Sequence, residues 1–451
     1  MRLSHAASLC QGTVCGADVD FVRVCTDTRS ILAGDLFVAL RGERFDGHDF
    51  IAEAVADGAV AALVEQPVAA LPSIQVKDTR KALGLLAAGW AAEVPMTRIA
   101  VTGNAGKTTV KEMIACMLSS EAGDPAVHAT RGNLNNDIGV PLTLLAVKPE
   151  HRFGVFELGA NAPGEIAWTV SLVRPHIAMI TNVTGAHLEG FGSMQGIANA
   201  KSEIFTAAAD GALAIINLDD SFAGFFAERA AAAGLRIVRT GKADNADWRA
   251  IDIALHSQSL AFTLIYPGGQ QRIELPLPGA HQISNALMAL AAVAEAGVAV
   301  CDAAARLATL KPVKGRMNIQ PLLGGTLVDD SYNANPGSVR VAIDWLAAQQ
   351  APRWLVLGNL GELGADEKQI HRELGIYARE AGLDGLIVVG QLAAEAGQAF
   401  GVNAQYAKDH QAAADLVRPI LNQAGTVLVK GSRSAGMDAV ITALQATEEM
   451  H

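Results

Sequence analysis

The fold class is decided by the stretch Ile99-Ala100-Val101-Thr102-Gly103-Asn104-Ala105-Gly106-Lys107-Thr108-Thr109. Apolar residues typical of a strand lead into a glycine loop, and a helical pattern then runs through Leu118. In this context, backbone N–H groups and the helix N-terminus bind phosphate. We predict that Lys107 contacts the β- and γ-phosphates of a nucleotide and that the Thr108 hydroxyl binds magnesium. An ordinary glycine turn before a helix is the alternative, and the Lys-Thr-Thr ending argues against it.

Strand and helix patterns alternate on both sides of this loop. Short apolar runs such as Leu36–Leu40, Ala61–Val64, Ile177–Ile180 and Leu386–Val389 are separated by helix-length stretches. This alternation is typical of parallel sheets covered by helices on both faces. We therefore predict an α/β protein of three domains: a small N-terminal α/β domain (residues 1–82), a central P-loop domain with a parallel sheet (83–311) and a C-terminal Rossmann-like domain (312–451).

Composition excludes several classes of protein. The 451 residues carry 35 Lys plus Arg against 46 Asp plus Glu, a net charge of -11, which argues against a nucleic-acid partner. The five cysteines are scattered and form no CxxC pair, so we expect neither a disulfide framework nor a zinc site but a reducing, cytoplasmic setting. No apolar run is long enough to predict a membrane span.

Three further polar residues follow apolar strands or begin a helix in the central segment. Glu157 ends the strand Val155-Phe156, where P-loop proteins place a second magnesium contact, although a solvated glutamate is the alternative. His187 follows the next apolar strand, at the sheet edge where α/β ligands bind, and a structural hydrogen-bonding role is the alternative. Lys201 begins a probable helix, where a lysine is ordinarily solvated. The guanine-reading Asn-Lys-x-Asp pattern of switch GTPases is missing from the sequence.

Together these motifs resemble the Mur ligases, the ATP-dependent amide-forming enzymes of peptidoglycan precursor synthesis. The matching stretches are Gly103–Thr109, Glu157–Asn161, Asn182–His187 and Ala200–Glu203. The resemblance implies an N-terminal domain that holds a UDP-sugar, a central ATPase and a C-terminal domain that brings the incoming amino acid or dipeptide. This order agrees with the three predicted domains.

Further stretches favour one reaction within the family. Thr130–Pro141 and Asp329–Pro336 are similar to loops of the ligase that adds D-alanyl-D-alanine to UDP-N-acetylmuramoyl-tripeptide, and Thr26–Arg29 with Asp46–Phe50 resembles a UDP-holding module. The Asp-Asn-Pro-Arg motif of the diaminopimelate-adding neighbour is absent from the sequence. The resemblance thus implies ATP, Mg²⁺ and these two substrates, and we expect a monomer. Another Mur or folylpolyglutamate synthase-like ligase, and a P-loop ATPase acting as a binding module, remain the alternatives.

The resemblance also assigns site residues. It implies ATP contacts from Gly103, Asn104, Ala105, Gly106, Lys107, Thr108, Thr109, Asn285, Arg316 and Asp330, with a surface salt bridge as the alternative for Arg316. It implies a metal site of Thr108, Glu157, His187 and Lys201, and places Lys107, His187 and Lys201 in catalysis. An ammonium beside magnesium would repel it, and the resemblance implies that Lys201 carries a carbamate, which replaces the cation with an oxygen ligand. The UDP-substrate residues implied are Thr28, Arg29, His48, Asn133 and Asn136.

Overall fold

The computed structural model describes residues 1–42, 44–119, 126–184 and 188–446. The described chain forms three sheets of five, nine and six strands, in that order along the sequence. This confirms the predicted α/β class and its three parts. None of the helices in the described residues is long and apolar enough to cross a bilayer.

The N-terminal sheet has the order β1-β5-β4-β3-β2, and its strands are parallel except for β1. Its elements are α1 (Leu3–Leu9), β1 (Thr13–Cys15), β2 (Arg23–Cys25), β3 (Asp35–Val38), α2 (Ile51–Ala56), β4 (Ala61–Val64), β5 (Ser73–Gln75) and α3 (Thr79–Ala92). Residues of β3 alternate between two apolar clusters, with Leu36 and Val38 on one side and Phe37 on the other. This burial on both faces explains the continuous apolar run in the sequence.

The central sheet has the order β14-β13-β12-β11-β10-β9-β6-β8-β7. Its strands are β6 (Thr97–Thr102), β7 (Val127–Ala129), β8 (Phe153–Glu157), β9 (Ile177–Ile180), β10 (Leu213–Asn217), β11 (Arg236–Gly241), β12 (Trp248–Leu255), β13 (Leu260–Tyr266) and β14 (Gly269–Leu275). Its helices are α4 (Lys107–Leu118), α5 (Gly139–Leu145), α6 (Glu165–Val173), α7 (Leu188–Phe191), α8 (Met194–Ser202), α9 (Ala223–Ala232), α10 (His281–Glu295) and α11 (Val300–Leu307). Ile99 and Val101 of β6 pack against one layer of helices and Ala100 against the other.

The predicted parallel central sheet is confirmed, and it continues at one edge into antiparallel strands. Strands β7 through β12 pair in parallel, but β13 is antiparallel to both β12 and β14. Only Pro267 and Gly268 separate β13 from β14, and so short a connection permits only an antiparallel hairpin. The Pro-Gly-Gly turn at 267–269 was the sequence signal for it.

The C-terminal sheet has the order β15-β16-β20-β17-β18-β19, with only β15 antiparallel to its neighbour. Its strands are β15 (Asn318–Leu322), β16 (Gly325–Asp330), β17 (Arg353–Gly358), β18 (Gly385–Val389), β19 (Ala404–Ala407) and β20 (Thr426–Lys430), and its helices are α12 (Pro336–Ala347), α13 (Glu367–Glu380), α14 (Ala393–Phe400), α15 (His410–Asn422) and α16 (Asp438–Gln445). Asp330 and Lys430 end neighbouring strands and are paired in register. Both side chains therefore lie at the edge where α/β sheets bind ligands.

Candidate functional site

A cleft between the central and C-terminal domains brings together most of the predicted nucleotide residues. Its lining includes Asn104, Ala105, Gly106, Lys107, Thr108, Thr109, Asn285, Arg316, Asp330 and Lys430. Gly103 lies behind this lining, where a Cβ would come within 2.0 Å of Thr181 Oγ1. The carboxyl ends of β6 and β16 thus contribute to one cavity from two separate sheets.

The glycine loop owes its shape to side chains from the end of β9. Thr181 Oγ1 donates to the Ala105 carbonyl oxygen at 2.6 Å, and Asn182 Oδ1 accepts from the Ala105 N–H at 3.0 Å. Gly106 has a φ of 81°, and a Cβ there would lie 2.8 Å from Asn285 Oδ1. Glycine is therefore required both by the backbone conformation and by the close approach of Asn285. No sequence pattern predicted the role of Thr181.

Lys107 starts α4 and points back into the loop. Its Nζ donates to the Gly103 carbonyl oxygen at 2.8 Å. Burial lowers the pKa of this ammonium, the nearby Glu157 carboxylate opposes that shift, and Arg316 adds to it. The side chain is thus placed where a phosphate could replace a weak carbonyl partner with a strong anionic one.

Thr108 and Glu157 form the oxygen-rich part of the cleft. Thr108 Oγ1 donates to Glu157 Oε2 at 2.7 Å, and Asn135 Nδ2 donates to Glu157 Oε1 at 2.8 Å. Magnesium favours oxygen ligands and is commonly bound through one or two carboxylates together with substrate phosphates. The hydroxyl and carboxylate fit this chemistry, and the described residues contain no cluster of three or more His, Cys, Asp or Glu that would hold a metal alone.

The C-terminal domain contributes Arg316 directly to this oxygen-rich part. Arg316 Nη2 donates to Thr108 Oγ1 at 2.9 Å, and the guanidinium lies 4.6 Å from the centroid of the Tyr332 ring. The alternative of a surface salt bridge for Arg316 is therefore wrong. The stacked ring restricts the orientation of the planar guanidinium and leaves its charge facing the phosphate loop.

Asp330 and Lys430 form a buried ion pair on the other side of the cleft. Lys430 Nζ donates to Asp330 Oδ2 at 2.5 Å, and Asp330 Oδ1 accepts from the Met317 N–H at 3.2 Å. Burial raises the pKa of Asp330, and the charge of Lys430 opposes this shift. The carboxylate is thus fixed as an acceptor at the expected ribose side of the nucleotide.

His281 is a cleft residue that the sequence analysis did not assign. It begins α10, and its buried Nδ1 has no hydrogen-bond partner within the part of the chain that the structure describes. Burial lowers its pKa to about 4, and the charge of Lys430 lowers it further in the same direction. Four residues after His281, Asn285 Nδ2 donates to Gln282 Oε1 at 2.9 Å. The neutral imidazole and the oriented amide both face the region expected to hold the nucleoside.

Lys201 is buried, contrary to the ordinary expectation of a solvated helix lysine. It lies in α8 and is 1% exposed, with Nζ 5.6 Å from the centroid of the Phe191 ring. Burial lowers its pKa to about 7, and the charge of Lys107 contributes to that shift. Among the described residues, its ammonium makes no hydrogen bond. The predicted metal residue His187 lies outside the described residues.

The predicted UDP-substrate residues lie away from this cleft and bond to their own neighbours. Arg29 Nη2 donates to Asp27 Oδ2 at 2.6 Å, and Thr28 begins the 3-10 turn that Asp27 caps. His48 Nδ1 lies 2.6 Å from Asp46 Oδ1, while His48 Nε2 accepts from the Glu65 N–H at 2.9 Å.

In the central domain, two asparagines of the 130–138 loop were assigned to the same substrate. Asn133 is exposed, and Asn136 Oδ1 accepts from the Gly139 N–H at 2.8 Å at the start of α5. Its side-chain oxygen thus orders the turn that leads into α5. Both asparagines remain predicted substrate residues.

Comparisons with known proteins agree with this arrangement along the chain. Residues 20–91 match the model of the Mur ligase family catalytic domain, residues 101–293 the Mur ligase middle domain and residues 315–433 the Mur ligase glutamate ligase domain. The UDP-N-acetylmuramoyl-tripeptide–D-alanyl-D-alanine ligase of Escherichia coli is 45% identical, with 99% of this chain and 98% of that protein covered.

Two solved structures are similar across almost the whole chain. A crystal structure of MurF from Acinetobacter baumannii has a TM-score of 0.91 and 35% identity, and covers 98% of each chain. MurF ligase from Thermotoga maritima, in complex with ADP, has a TM-score of 0.83 and 28% identity, and covers 95% of this chain and 98% of that one.

Proposed function

Because the chain belongs to the Mur ligase family, we propose that it joins D-alanyl-D-alanine to UDP-N-acetylmuramoyl-tripeptide with ATP. The products are UDP-N-acetylmuramoyl-pentapeptide, ADP and phosphate. The observation that carries the ATP-dependent part is the meeting of Thr108, Glu157 and Arg316 across two domains, with 2.7 Å and 2.9 Å between their polar atoms. The substrates are proposed from those named for the Escherichia coli relative, which aligns over nearly the full chain.

The chemistry requires the carboxylate of the tripeptide to be activated. One of its oxygens attacks the γ-phosphorus of ATP, the bond to the bridging oxygen of ADP breaks, and an acyl phosphate forms. The amine of the dipeptide then attacks the acyl carbon, inorganic phosphate leaves, and the amine loses a proton. Two anions must approach in the first step, so Lys107 and Arg316 are proposed to offset their repulsion.

Thr108 and Glu157 are proposed to hold Mg²⁺ at the phosphates, with His187 and Lys201 completing the metal site. The ion, when bound, would neutralise phosphate charge during transfer. Lys201 is proposed to carry a carbamate, which would convert a buried cation into an oxygen ligand. A pKa of about 7 supports this role, because an appreciable fraction of the amine is then unprotonated and able to react with carbon dioxide.

The cleft presents residues of two domains to the nucleotide. Asn285 and His281 face the cleft from the central domain, and Asp330 and Arg316 face it from the C-terminal part. We propose that ATP spans both and thereby fixes the C-terminal domain, which brings the dipeptide, over the acyl phosphate. We further propose that the enzyme acts as a monomer in the cytoplasm.

A single assay tests the proposed function. Purified protein is incubated with ATP, Mg²⁺, UDP-N-acetylmuramoyl-tripeptide and D-alanyl-D-alanine, and the products are read by mass spectrometry. We expect a product that contains the added dipeptide and phosphate release that requires both substrates. Product formed with a single amino acid in place of the dipeptide would favour another ligase of the family, and phosphate release without either substrate would favour a simple ATPase.

A further inference from the structure

Lys111 is a buried cation that the ligation chemistry above does not use. It lies on α4 one helical turn after Lys107, and its side chain is 3% exposed. Its Nζ donates to the Thr130 carbonyl oxygen at 2.7 Å and lies 2.7 Å from Glu112 Oε1. Removing an ammonium from water is costly, and an apolar side chain often serves packing equally well. The buried charge of Lys111 and its hydrogen bond therefore indicate a specific role.

The partner of Lys111 begins the loop that leads from β7 to α5. Thr130 is 1% exposed, and its N–H donates to the Val155 carbonyl oxygen of β8 at 3.0 Å. Its Oγ1 accepts from the Glu157 N–H at 3.0 Å. Thr130 thus connects the phosphate-binding helix, through Lys111, to the backbone of the proposed magnesium residue.

The same loop contacts the proposed magnesium residue a second time. Asn135 Nδ2 donates to Glu157 Oε1 at 2.8 Å, and the Gly159 N–H donates to the Asn135 carbonyl oxygen at 2.7 Å. Asn133 and Asn136, the predicted UDP-substrate residues, lie on either side of this contact. A displacement of the loop would therefore alter both the orientation of Glu157 and the positions of these asparagines.

We propose that Lys111 is a positioning residue that couples the nucleotide site to the 130–138 loop, and so to the UDP-substrate. Its ammonium holds the start of the loop against α4, so that phosphate binding at the first turn of this helix and substrate binding on the loop depend on one another. The substrate half of this inference rests on the proposed function, whereas the magnesium half requires only the contacts through Thr130 to Glu157.

The first test replaces Lys111 with methionine, which has a similar length and no charge. We expect KM for the UDP-substrate to rise about tenfold, equivalent to about 1.4 kcal/mol, because the Thr130 carbonyl loses its donor and the loop is no longer held. KM for ATP at saturating Mg²⁺ should change much less. Lys148→Met is the matched control, since it removes a lysine charge from an exposed position, and its kinetics should equal those of the unaltered protein.

The second test does not require ligase activity. The affinity for ADP is measured by titration calorimetry with and without Mg²⁺, and the gain in affinity caused by Mg²⁺ is compared between variants. We expect this gain to shrink in Lys111→Met and in Thr130→Val, which removes the hydroxyl that accepts from Glu157. Lys111→Arg, which retains a buried donor, should restore part of it.

The outcomes separate the inference from the proposed function. Unchanged KM values together with an unchanged Mg²⁺ gain, even with a lower melting temperature, would overturn the inference and leave Lys111 a purely structural residue. If the unaltered protein makes no pentapeptide, the proposed function fails, while the calorimetric comparison still decides the coupling to Glu157. If Lys111→Met does not fold, Thr130→Val and Lys111→Arg decide the magnesium half in the same way.

Discussion

The nucleotide cleft contains a side-chain contact between two domains, whereas the motif residues of the N-terminal domain bond within that domain. In the cleft, Arg316 bonds to Thr108, 208 residues earlier. In the N-terminal domain, Arg29 bonds to Asp27 and His48 to Asp46, each two residues away. The contact between Arg316 and Thr108 exists only when two domains are folded and docked. The contacts of Arg29 and His48 with these aspartates can be made by a single loop.

A residue that acts on a ligand needs binding capacity that its protein partners leave unused, whereas the polar atoms of a residue that shapes a loop are already engaged. Among the described residues, Lys107 Nζ donates only to a carbonyl oxygen and His281 Nδ1 has no partner, so the cleft retains unused binding capacity. Both ring nitrogens of His48, in contrast, are already engaged. We therefore expect substitutions in the cleft to affect turnover and nucleotide binding, and substitution of His48 to affect stability.

The largest effect is expected for Lys107→Met. Loss of the charge at the phosphate loop should reduce pentapeptide formation by roughly 10³-fold, because it removes one of the two cations proposed to offset the developing phosphoryl charge. Product is measured by mass spectrometry, and circular dichroism checks that the fold is intact. Lys408→Met, at an exposed lysine of the C-terminal domain, is the control and should retain full turnover. A folded Lys107→Met protein with near-normal turnover would remove the basis for the P-loop assignment.

The next largest effect is expected for Lys201→Ala, with a loss of roughly 10²-fold, comparable to the loss of a supporting group at a metal site. Formate or acetate should restore part of the activity by supplying carboxylate oxygens in the space left by the side chain. Sodium chloride at equal ionic strength is the salt control and should restore none. Full activity of Lys201→Ala would instead identify the lysine as a structural residue.

The sequence predicted the parts of this site that depend on local pattern and sheet geometry. The strand β6, the glycine loop and the helix α4 follow from residue order alone, and the proximity of Glu157 to Thr108 follows from two parallel strands ending at one edge. It could not predict the burial of Lys201, because a helix lysine has the same local pattern whether it faces solvent or the core.

Contacts between distant segments were equally inaccessible to sequence reasoning. The burial of Lys111 against Thr130, and of His281 opposite Lys430, depends on how helices pack on the sheet. The antiparallel hairpin of β13 and β14 was not predicted, because apolar runs alone do not determine whether neighbouring strands are parallel or antiparallel. The sequence therefore predicts the fold class and the phosphate loop, whereas the neighbours of each charged side chain depend on tertiary packing.

A pH experiment tests whether the imidazole of His281 in the cleft is shielded from protons. Burial lowers the pKa of His281 to about 4, so between pH 6.5 and 4 the unfolded chain binds a proton that the folded protein does not. Stability from this residue is therefore present above pH 6.5 and is lost as the pH falls, by about 2 kcal/mol between pH 6.5 and 5. Denaturant unfolding at both pH values should show a smaller loss for His281→Gln; an equal loss would mean that the imidazole is accessible to protons.

A smaller effect is expected for Arg316→Gln. Loss of its charged donor should weaken ADP binding about tenfold, or about 1.4 kcal/mol, as measured by calorimetry. Arg340→Gln is the matched control, because Arg340 also stacks on a tyrosine, 4.8 Å from the Tyr377 ring centroid, but does not line the cleft. Equal affinities in the two variants would contradict the proposed sharing of nucleotide between domains.

Small-angle scattering of the unaltered protein should also show compaction with an ATP analogue.

The smallest effect on the reaction is expected for His48→Gln, although the residue belongs to the predicted UDP-substrate set. The His48 ring joins Asp46 to the Glu65 backbone, and a glutamine cannot donate and accept at the same two points. The free energy of unfolding should fall by about 1 kcal/mol, while KM for the UDP-substrate should rise less than about threefold, a cost below 1 kcal/mol. Arg29→Gln provides the contrast: its guanidinium is exposed and can turn from Asp27 towards a phosphate, so KM should rise further with little change in melting temperature. A large rise in KM for His48→Gln at unchanged stability would mean that the ring leaves its partners to bind substrate, and the distinction between the two regions would no longer hold.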